Sequence, residues 1–230
     1  MGESNVLITG ANRGIGLEFV RQYRRQGAQV YACCRDPQSA QDLKQLAEGD
    51  PNIEIVQLDV NSSVQLGKLK QRFAERPLNI VINNAGVYGP RKVGDPVDRD
   101  GWHSTFETNV MGPVDVAFAL QPSLRRSKGV LANVTSRMGS IADNDSGGSH
   151  IYRSSKAALN AAMKSVAVDW QEAGITVLLL HPGWVETAMG GPNALISTET
   201  SVRGMIAVIG NADSSDSGTF VNYQGDKLPW

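Results

Sequence analysis

Asn5-Val6-Leu7-Ile8-Thr9-Gly10-Ala11-Asn12-Arg13-Gly14-Ile15-Gly16 runs from an apolar segment through three glycines into a helical pattern. The first five residues have the length and composition of a buried strand. Beyond them, Ile15, Phe19 and Tyr23 fall at i+4 steps, so residues 15–25 read as a helix that Gly27 ends. Glycines between strand and helix permit a tight turn and let backbone N–H groups approach a phosphate. The helix N-terminus adds partial positive charge. A glycine-rich turn without a ligand has the same composition, but the position between strand and helix favours the phosphate loop.

The alternation continues outward from that loop. Apolar runs at residues 29–34, 53–58, 78–83, 130–134, 175–180 and 219–223 read as further strands. Helical patterns lie between them at 37–48, 62–76, 98–127, 151–172 and 198–210. Val64 and Leu66 stand on the apolar side of the 62–76 helix, and the 98–127 pattern is interrupted near Gly112-Pro113. This order predicts one domain over residues 1–230. It is α/β, a doubly wound (Rossmann) parallel sheet of seven strands with helices on both faces. Residues 187–201, rich in Gly, Pro, Ser and Thr, read as a mobile substrate loop, and 211–218 as a polar surface loop.

Composition narrows the function classes. A chain of 230 residues suits one α/β domain. Its net charge of −1 leaves no electrostatic footprint for nucleic acid or an anionic membrane. Three short basic groups, Arg24-Arg25, Arg91-Lys92 and Arg125-Arg126, read as solvated. No apolar run is long enough to span a bilayer, and residues 1–10 lack the pattern of a signal peptide. Cys33 and Cys34 are neighbours on a strand and point to opposite faces, which predicts structural thiols in a reducing compartment. The expected setting is therefore the cytoplasm. His103, His150 and His181 stand alone, so no metal site is expected.

Ligands of a doubly wound sheet lie beyond the carboxyl ends of its strands. Leu58-Asp59-Val60 closes the third strand there, and Asn83-Asn84-Ala85-Gly86 the fourth. A helix-capping Asp and an Asn turn are the plain readings of these residues. Their register with the glycine loop favours a binding role. An NAD site offers a carboxylate near the end of the second strand. Here that region holds Cys34 and Arg35, while Arg13 sits inside the loop. Two guanidiniums favour a 2′-phosphate, hence NADP(H) over NAD(H), although Asp36 follows closely.

Tyr152 and Lys156 are spaced i, i+4, one turn apart on one helix face. A phenol with an ordinary pKa of about 10 donates a proton but is a poor base at neutral pH. A nearby ammonium favours phenolate and should draw that pKa down. Tyr152 thus reads as acid/base and Lys156 as its tuner.

The spacing T-G-x-x-x-G-x-G at residues 9–16, with Asn83–Gly86 and Y-x-x-x-K, resembles the short-chain dehydrogenase/reductase family over nearly the whole chain. Ser136-Arg137-Met138-Gly139-Ser140, the long loop before Tyr152 and Met189-Gly190-Gly191-Pro192 resemble its small C-factor-like and sniffer-like carbonyl reductases. The resemblance implies an oxidoreductase moving a hydride between NADP(H) and a small carbonyl or alcohol, foremost by carbonyl reduction. It implies that Gly10, Asn12, Arg13, Gly14, Ile15 and Gly16 line the cofactor, with Arg35 at its 2′-phosphate. Asp59 and Val60 would meet the adenine; Asn84, Ala85 and Gly86 the adenosine ribose; and Lys156 the nicotinamide ribose. Pro182, Gly183, Val185 and Thr187 would lie at the nicotinamide carboxamide.

The same resemblance makes Ser136 the hydrogen-bond donor to the substrate oxygen, with Ser140 and Thr135 as fallbacks. Its spacing to Tyr152 exceeds the family's usual one, and residues 142–149 read as the insertion. Asn109 takes a fourth catalytic position, distorting a helix and holding a water in a proton relay toward the lysine. The helix with Ala157, Ala158, Ala161, Ala162 and Val166, and the one around Asn109, would form the interface of a homodimer or homotetramer. Two readings compete with this one. The first is a cofactor-binding signalling or interaction protein with little turnover, which has no need of Asn109, Ser136, Tyr152 and Lys156 together. The second is NAD-dependent alcohol oxidation.

Overall fold

Val6, Leu7 and Ile8 are fully buried, so β1 (Asn5–Thr9) must be covered on both faces and takes the middle of the sheet. The computed structural model describes residues 4–91 and 97–230; Met1–Glu3 and Lys92 lie outside them. β1 pairs on one side with β2 (Gln29–Cys34), which pairs with β3 (Ile53–Gln57). On the other side follow β4 (Ile80–Asn83), β5 (Val130–Val134), β6 (Thr176–His181) and β7 (Thr219–Asn222). All six pairings are parallel, and the order is β3-β2-β1-β4-β5-β6-β7. The chain reverses direction across the sheet between β1 and β4, which opens the crevice at their carboxyl ends.

Strand residues alternate between two apolar layers. Leu7, Val81, Leu131 and Leu179 meet Phe73 of α3 (Ser63–Phe73), Leu120 of α5 (Gly112–Ser127) and Leu159 of α6 (His150–Asp169). On the opposite face, Ile8, Ile82 and Leu180 meet Phe19 of α1 (Gly14–Arg25), Leu43 of α2 (Gln41–Ala47) and Met205 of α7 (Thr198–Asn211). Each such side chain contributes about 1.5–3 kcal/mol by leaving water. Cys33 joins the first layer and Cys34 the second, both as free thiols.

Four local expectations need correction. α2 starts at Gln41, not at Pro37, because the Asp36 carboxylate accepts the N–H groups of Gln38 (3.0 Å) and Ser39 (3.4 Å) and closes a turn there. α3 buries Leu66, Leu69 and Phe73, whereas Val64 is 68% exposed. The interruption of the long helix lies ahead of Gly112-Pro113. After α4 (Arg99–Phe106), Glu107–Met111 widens into one π-helical turn, and Pro113 sits harmlessly in the first turn of α5. Finally, Ser197 Oγ caps α7 by accepting Thr200 N–H (3.1 Å), so residues 198–201 belong to a helix and not to the substrate loop. A bridge between Val185 and Ile196 pins the base of that loop. Among the described residues, no helix is long and apolar enough to cross a membrane.

Candidate active site

The carboxyl ends of the strands open onto a cleft of about 630 Å³. At one end lies the glycine loop. No side chain caps α1, so its first N–H groups, at Gly14, Ile15 and Gly16 along the cleft, are left for a ligand. Gly10 and Gly14 have φ of +64° and +54°, and a Cβ on Gly16 would stand 2.1 Å from the Gly10 carbonyl oxygen. Only glycine closes this turn. The side chain of Asn84 braces it, donating to the carbonyls of Thr9 (2.9 Å) and Gly10 (3.1 Å). Thr9 Oγ1 in turn accepts the N–H groups of Asn84 and Ala85, each at 3.0 Å. Asp59 Oδ1 accepts Asn61 N–H (3.0 Å), while Ser62, not Asp59, caps α3.

Arg13 and Arg35 both line the cleft, exposed, and neither forms an ion pair among the described residues. Asp36 lines it too. Hydrogen bonds from Ser39 and from the Gln38 backbone hold its carboxyl below the usual range and tie it to its own turn. Ser39 adds a hydroxyl at this end that sequence reading did not single out.

At the other end stand Tyr152 and Lys156, 8% and 5% exposed, one turn apart near the start of α6. Lys156 Nζ donates to the Val134 carbonyl (3.0 Å) and lies 5.9 Å from the centre of the Tyr152 ring. Burial pushes the Tyr152 phenol up to about 12; a hydrogen bond with Ser136 opposes this rise and Tyr88 adds to it. Burial pushes Lys156 down to about 8. The expected lowering of the phenol is therefore reversed: desolvation dominates, and the ammonium is spent on Val134.

Ser136 closes β5 and caps a one-turn helix at Arg137–Gly139, its Oγ accepting Met138 N–H (3.1 Å). The fallback hydroxyls are engaged elsewhere: Thr135 with Asn160 (2.6 Å), and Ser140 with Trp230 and Asp143 (3.1 Å each). Arg153 ties the long loop down through Met138 O (3.4 Å), Ser146 Oγ (2.9 Å) and Gly147 O (3.2 Å). Asn109 is fully buried in the π-helical turn. Its side chain donates to Val87 O (2.8 Å) and Ser155 Oγ (3.0 Å) and accepts Val87 N–H (2.8 Å).

Of the expected cofactor contacts, Val60, Ala85, Gly86, Pro182 and Thr187 line the cleft with those already named. Gly183 and Val185 do not. Gly183 faces Ile196, whose Cδ1 would be 2.6 Å from an added Cβ, and Val185 is buried. Asn109 and Ser136 also stand behind the lining, reaching it through Val87 and Tyr152. Sequence reading missed Tyr88. Its ring stacks on Tyr152 at 4.4 Å and 10°, its hydroxyl is 2.8 Å from Ser149 Oγ, and Arg91 lies 4.7 Å over its face. Arg91, exposed as expected, also makes a cation–π contact. No periodicity marks Tyr88, because the contact joins a loop residue to a helix distant in sequence. A second hollow of about 510 Å³, between α7 and the end of β7, gathers none of the motif residues.

Fold and cleft together define a doubly wound α/β protein with the architecture of a dinucleotide-dependent oxidoreductase. The chain belongs to the short-chain dehydrogenase family, whose sequence model matches residues 4–195. It is 47% identical over 157 residues to C-signal of Myxococcus xanthus, covering 67% of this chain and 93% of that one. Among solved structures it is similar to the carbonyl reductase Sniffer of D. melanogaster, at 34% identity and a TM-score of 0.94, covering 99% of this chain and 100% of Sniffer. It is also similar to an NADPH-bound carbonyl reductase from chicken fatty liver, at 35% identity and a TM-score of 0.93 over 100% of both chains.

Proposed function

We propose that the protein is an NADPH-dependent carbonyl reductase, with Tyr152 as the acid. One observation carries the reading: a single cleft has the uncapped glycine loop at one end and the buried Tyr152–Lys156 pair at the other. The residues present fit NADP(H). The N–H groups of Gly14, Ile15 and Gly16 would hold the pyrophosphate, and Arg13, Arg35 and Ser39 the 2′-phosphate. Asp59 and Val60 would meet the adenine, Lys156 the nicotinamide ribose, and Pro182 with Thr187 the carboxamide. The bound cofactor supplies a hydride.

The chain's own groups handle the proton and the developing charge. With its pKa up at about 12, the Tyr152 phenol is protonated at neutral pH and can donate to the carbonyl oxygen. Ser136, hydrogen-bonded to Tyr152, steadies that oxygen. Asn109 holds Val87 at the cleft, and Gly86 leaves room beside both groups, since an added Cβ there would lie 3.3 Å from Asn109 Oδ1 and 3.6 Å from Lys156 Nζ. Alcohol oxidation would need the phenolate, which burial disfavours.

The test is NADPH oxidation by purified protein against a panel of aldehydes, ketones and quinones. The parent should turn over, and Tyr152→Phe should bind NADPH normally yet lose about 10²–10⁴ in kcat. A flat panel with NADPH still bound would select the signalling reading, which the C-signal relative favours. A homodimer or homotetramer belongs to the proposal, since Met111, Phe118 and Val168 leave apolar surface exposed on and beside α5 and α6. A monomeric mass by light scattering at micromolar concentration would oppose it. A cytoplasmic setting fits the two free thiols.

A further inference from the structure

β7 is followed by a hairpin. Asn222 Oδ1 accepts the N–H groups of Gln224 and Asp226 (2.9 Å each), and the chain turns back. It then runs antiparallel to β7: Val221 bridges Lys227, and Leu228 N–H donates to Phe220 O (2.9 Å). This brings Trp230 to the loop that leaves β5. Its ring lies 5.6 Å from that of Phe220. Its main-chain oxygen accepts three hydrogen bonds, from Ile141 N–H (3.0 Å), Ala142 N–H (2.9 Å) and Ser140 Oγ (3.1 Å). Three donors converge on this one oxygen, so the contact is a clamp and not a glancing touch.

The clamped residues adjoin the Arg137–Gly139 turn that Ser136 caps. That turn lies flush on α6, where a Cβ on Gly139 would stand 2.8 Å from the Lys156 carbonyl carbon. Beyond the clamp, Gly147 and Gly148 have positive φ and open space where a side chain would stand, and this far half of the loop is tied through Arg153 to Ser146 Oγ and Gly147 O. The near half is held by the Arg137–Asp143 ion pair, by Arg153 and by Trp230.

We propose that residues 227–230, through Trp230, are a positioning element for Ser136: they press the loop after β5 onto α6 and set the serine against Tyr152. The inference rests on the carbonyl-reductase reading for its catalytic consequence.

The experiment compares the parent with Trp230→Ala, Trp230→Phe, Ser140→Ala and a chain ending at Lys227. Amide hydrogen exchange at Ile141 and Ala142 is measured together with kcat and both KM values. In Trp230→Ala and the shortened chain the two amides should lose protection. Their kcat should fall about 10- to 100-fold, with the NADPH KM changed less than about twofold, as expected for a misplaced catalytic group. Trp230→Phe keeps a ring on Phe220 and should recover most of both signals; Ser140→Ala, lacking one donor of three, should fall between. Unchanged protection, or lost protection with kcat intact, overturns the proposal. So does a fall in kcat matched by an equal rise in NADPH KM. If the shortened chain does not fold, the three point variants decide. Should the parent reduce no carbonyl, the functional reading falls alone, and the exchange data still decide the clamp.

Discussion

Replacing Lys156 with Met should stabilise the protein while removing its activity. The lysine is 5% exposed, and burial lowers its pKa from 10.5 to about 8. That lowering is a cost to the folded state of about 3 kcal/mol at pH 7, at about 1.4 kcal/mol per pH unit. Against it stands the hydrogen bond to Val134 O at 3.0 Å, whose loss costs about 1–2 kcal/mol. The Met side chain should therefore come out ahead by about 1–2 kcal/mol, raising Tm by roughly 2–8 °C for a chain of this size. The sign then changes with pH. Between about 8 and 10.5 the unfolded lysine still binds its proton and the folded one does not, so the parent gains stability as pH rises through that window. The variant has no such gain from this site. Its advantage should shrink by about 2–3 kcal/mol between pH 7 and pH 10, and the order of the two Tm values should reverse. Tyr152 titrates in both proteins and cancels to first order. Thermal melts followed by circular dichroism at pH 7, 8.5 and 10 make the measurement. A Met variant less stable than the parent at pH 7, or a Tm difference independent of pH, would refute the assignment of Lys156 as a buried, strained charge.

Replacing both Arg13 and Arg35 with Ala should raise the NADPH KM about 10- to 100-fold and the NADH KM much less, since only NADPH carries the 2′-phosphate those cations are proposed to hold. Equal effects on the two cofactors, measured by steady-state kinetics, would remove the 2′-phosphate assignment. Tyr88→Ala removes an aromatic contact worth about 0.5–1.5 kcal/mol from the Tyr152 ring and should lower kcat by up to about tenfold. Tyr88→Phe keeps the stack and loses only the Ser149 contact, so its kcat should stay within about twofold of the parent. An alanine variant as fast as the parent would show that the stack does not hold the phenol.

The architecture could be read from residue order because its determinants are local. Each strand is a short apolar run bounded by turn residues, and each helix has one apolar stripe. The strands could therefore be placed to within two residues at their ends. The misplacements share a physical cause. Val64 looks apolar in a helical window, but the stripe that faces the sheet is set by Leu66, Leu69 and Phe73, and Val64 falls off it. Pro37 looks like a helix start, but Asp36 reaches forward to Ser39 and delays the helix. Gly112-Pro113 looks like a break, yet proline is harmless in a first helical turn, and the real irregularity is the π-helical turn that brings Asn109 inward. None of these outcomes follows from residue type alone; each depends on which neighbour captures a backbone group.

The site divides along the same line. Groups whose role depends on backbone geometry, Gly10, Gly14, Gly16 and the Tyr152–Lys156 turn, announce themselves by spacing. Groups whose role depends on long-range contact do not. Tyr88 meets Tyr152 across 64 residues, and Trp230 meets Ile141 across 89. The direction of the phenol's pKa belongs to the second kind. Spacing places an ammonium one turn from Tyr152 and so argues for a lowered value. Burial depends on everything packed around the pair, and here it disfavours the charge on both partners, raising one and lowering the other. Two opposite charges brought together in water would each favour ionisation; two sheltered from water each favour neutrality. A sheltered phenol stays protonated at neutral pH, the form in which a reduction begins, but it is a weaker acid than a free one, so burial reverses the simple electrostatic expectation without by itself setting the direction of the reaction.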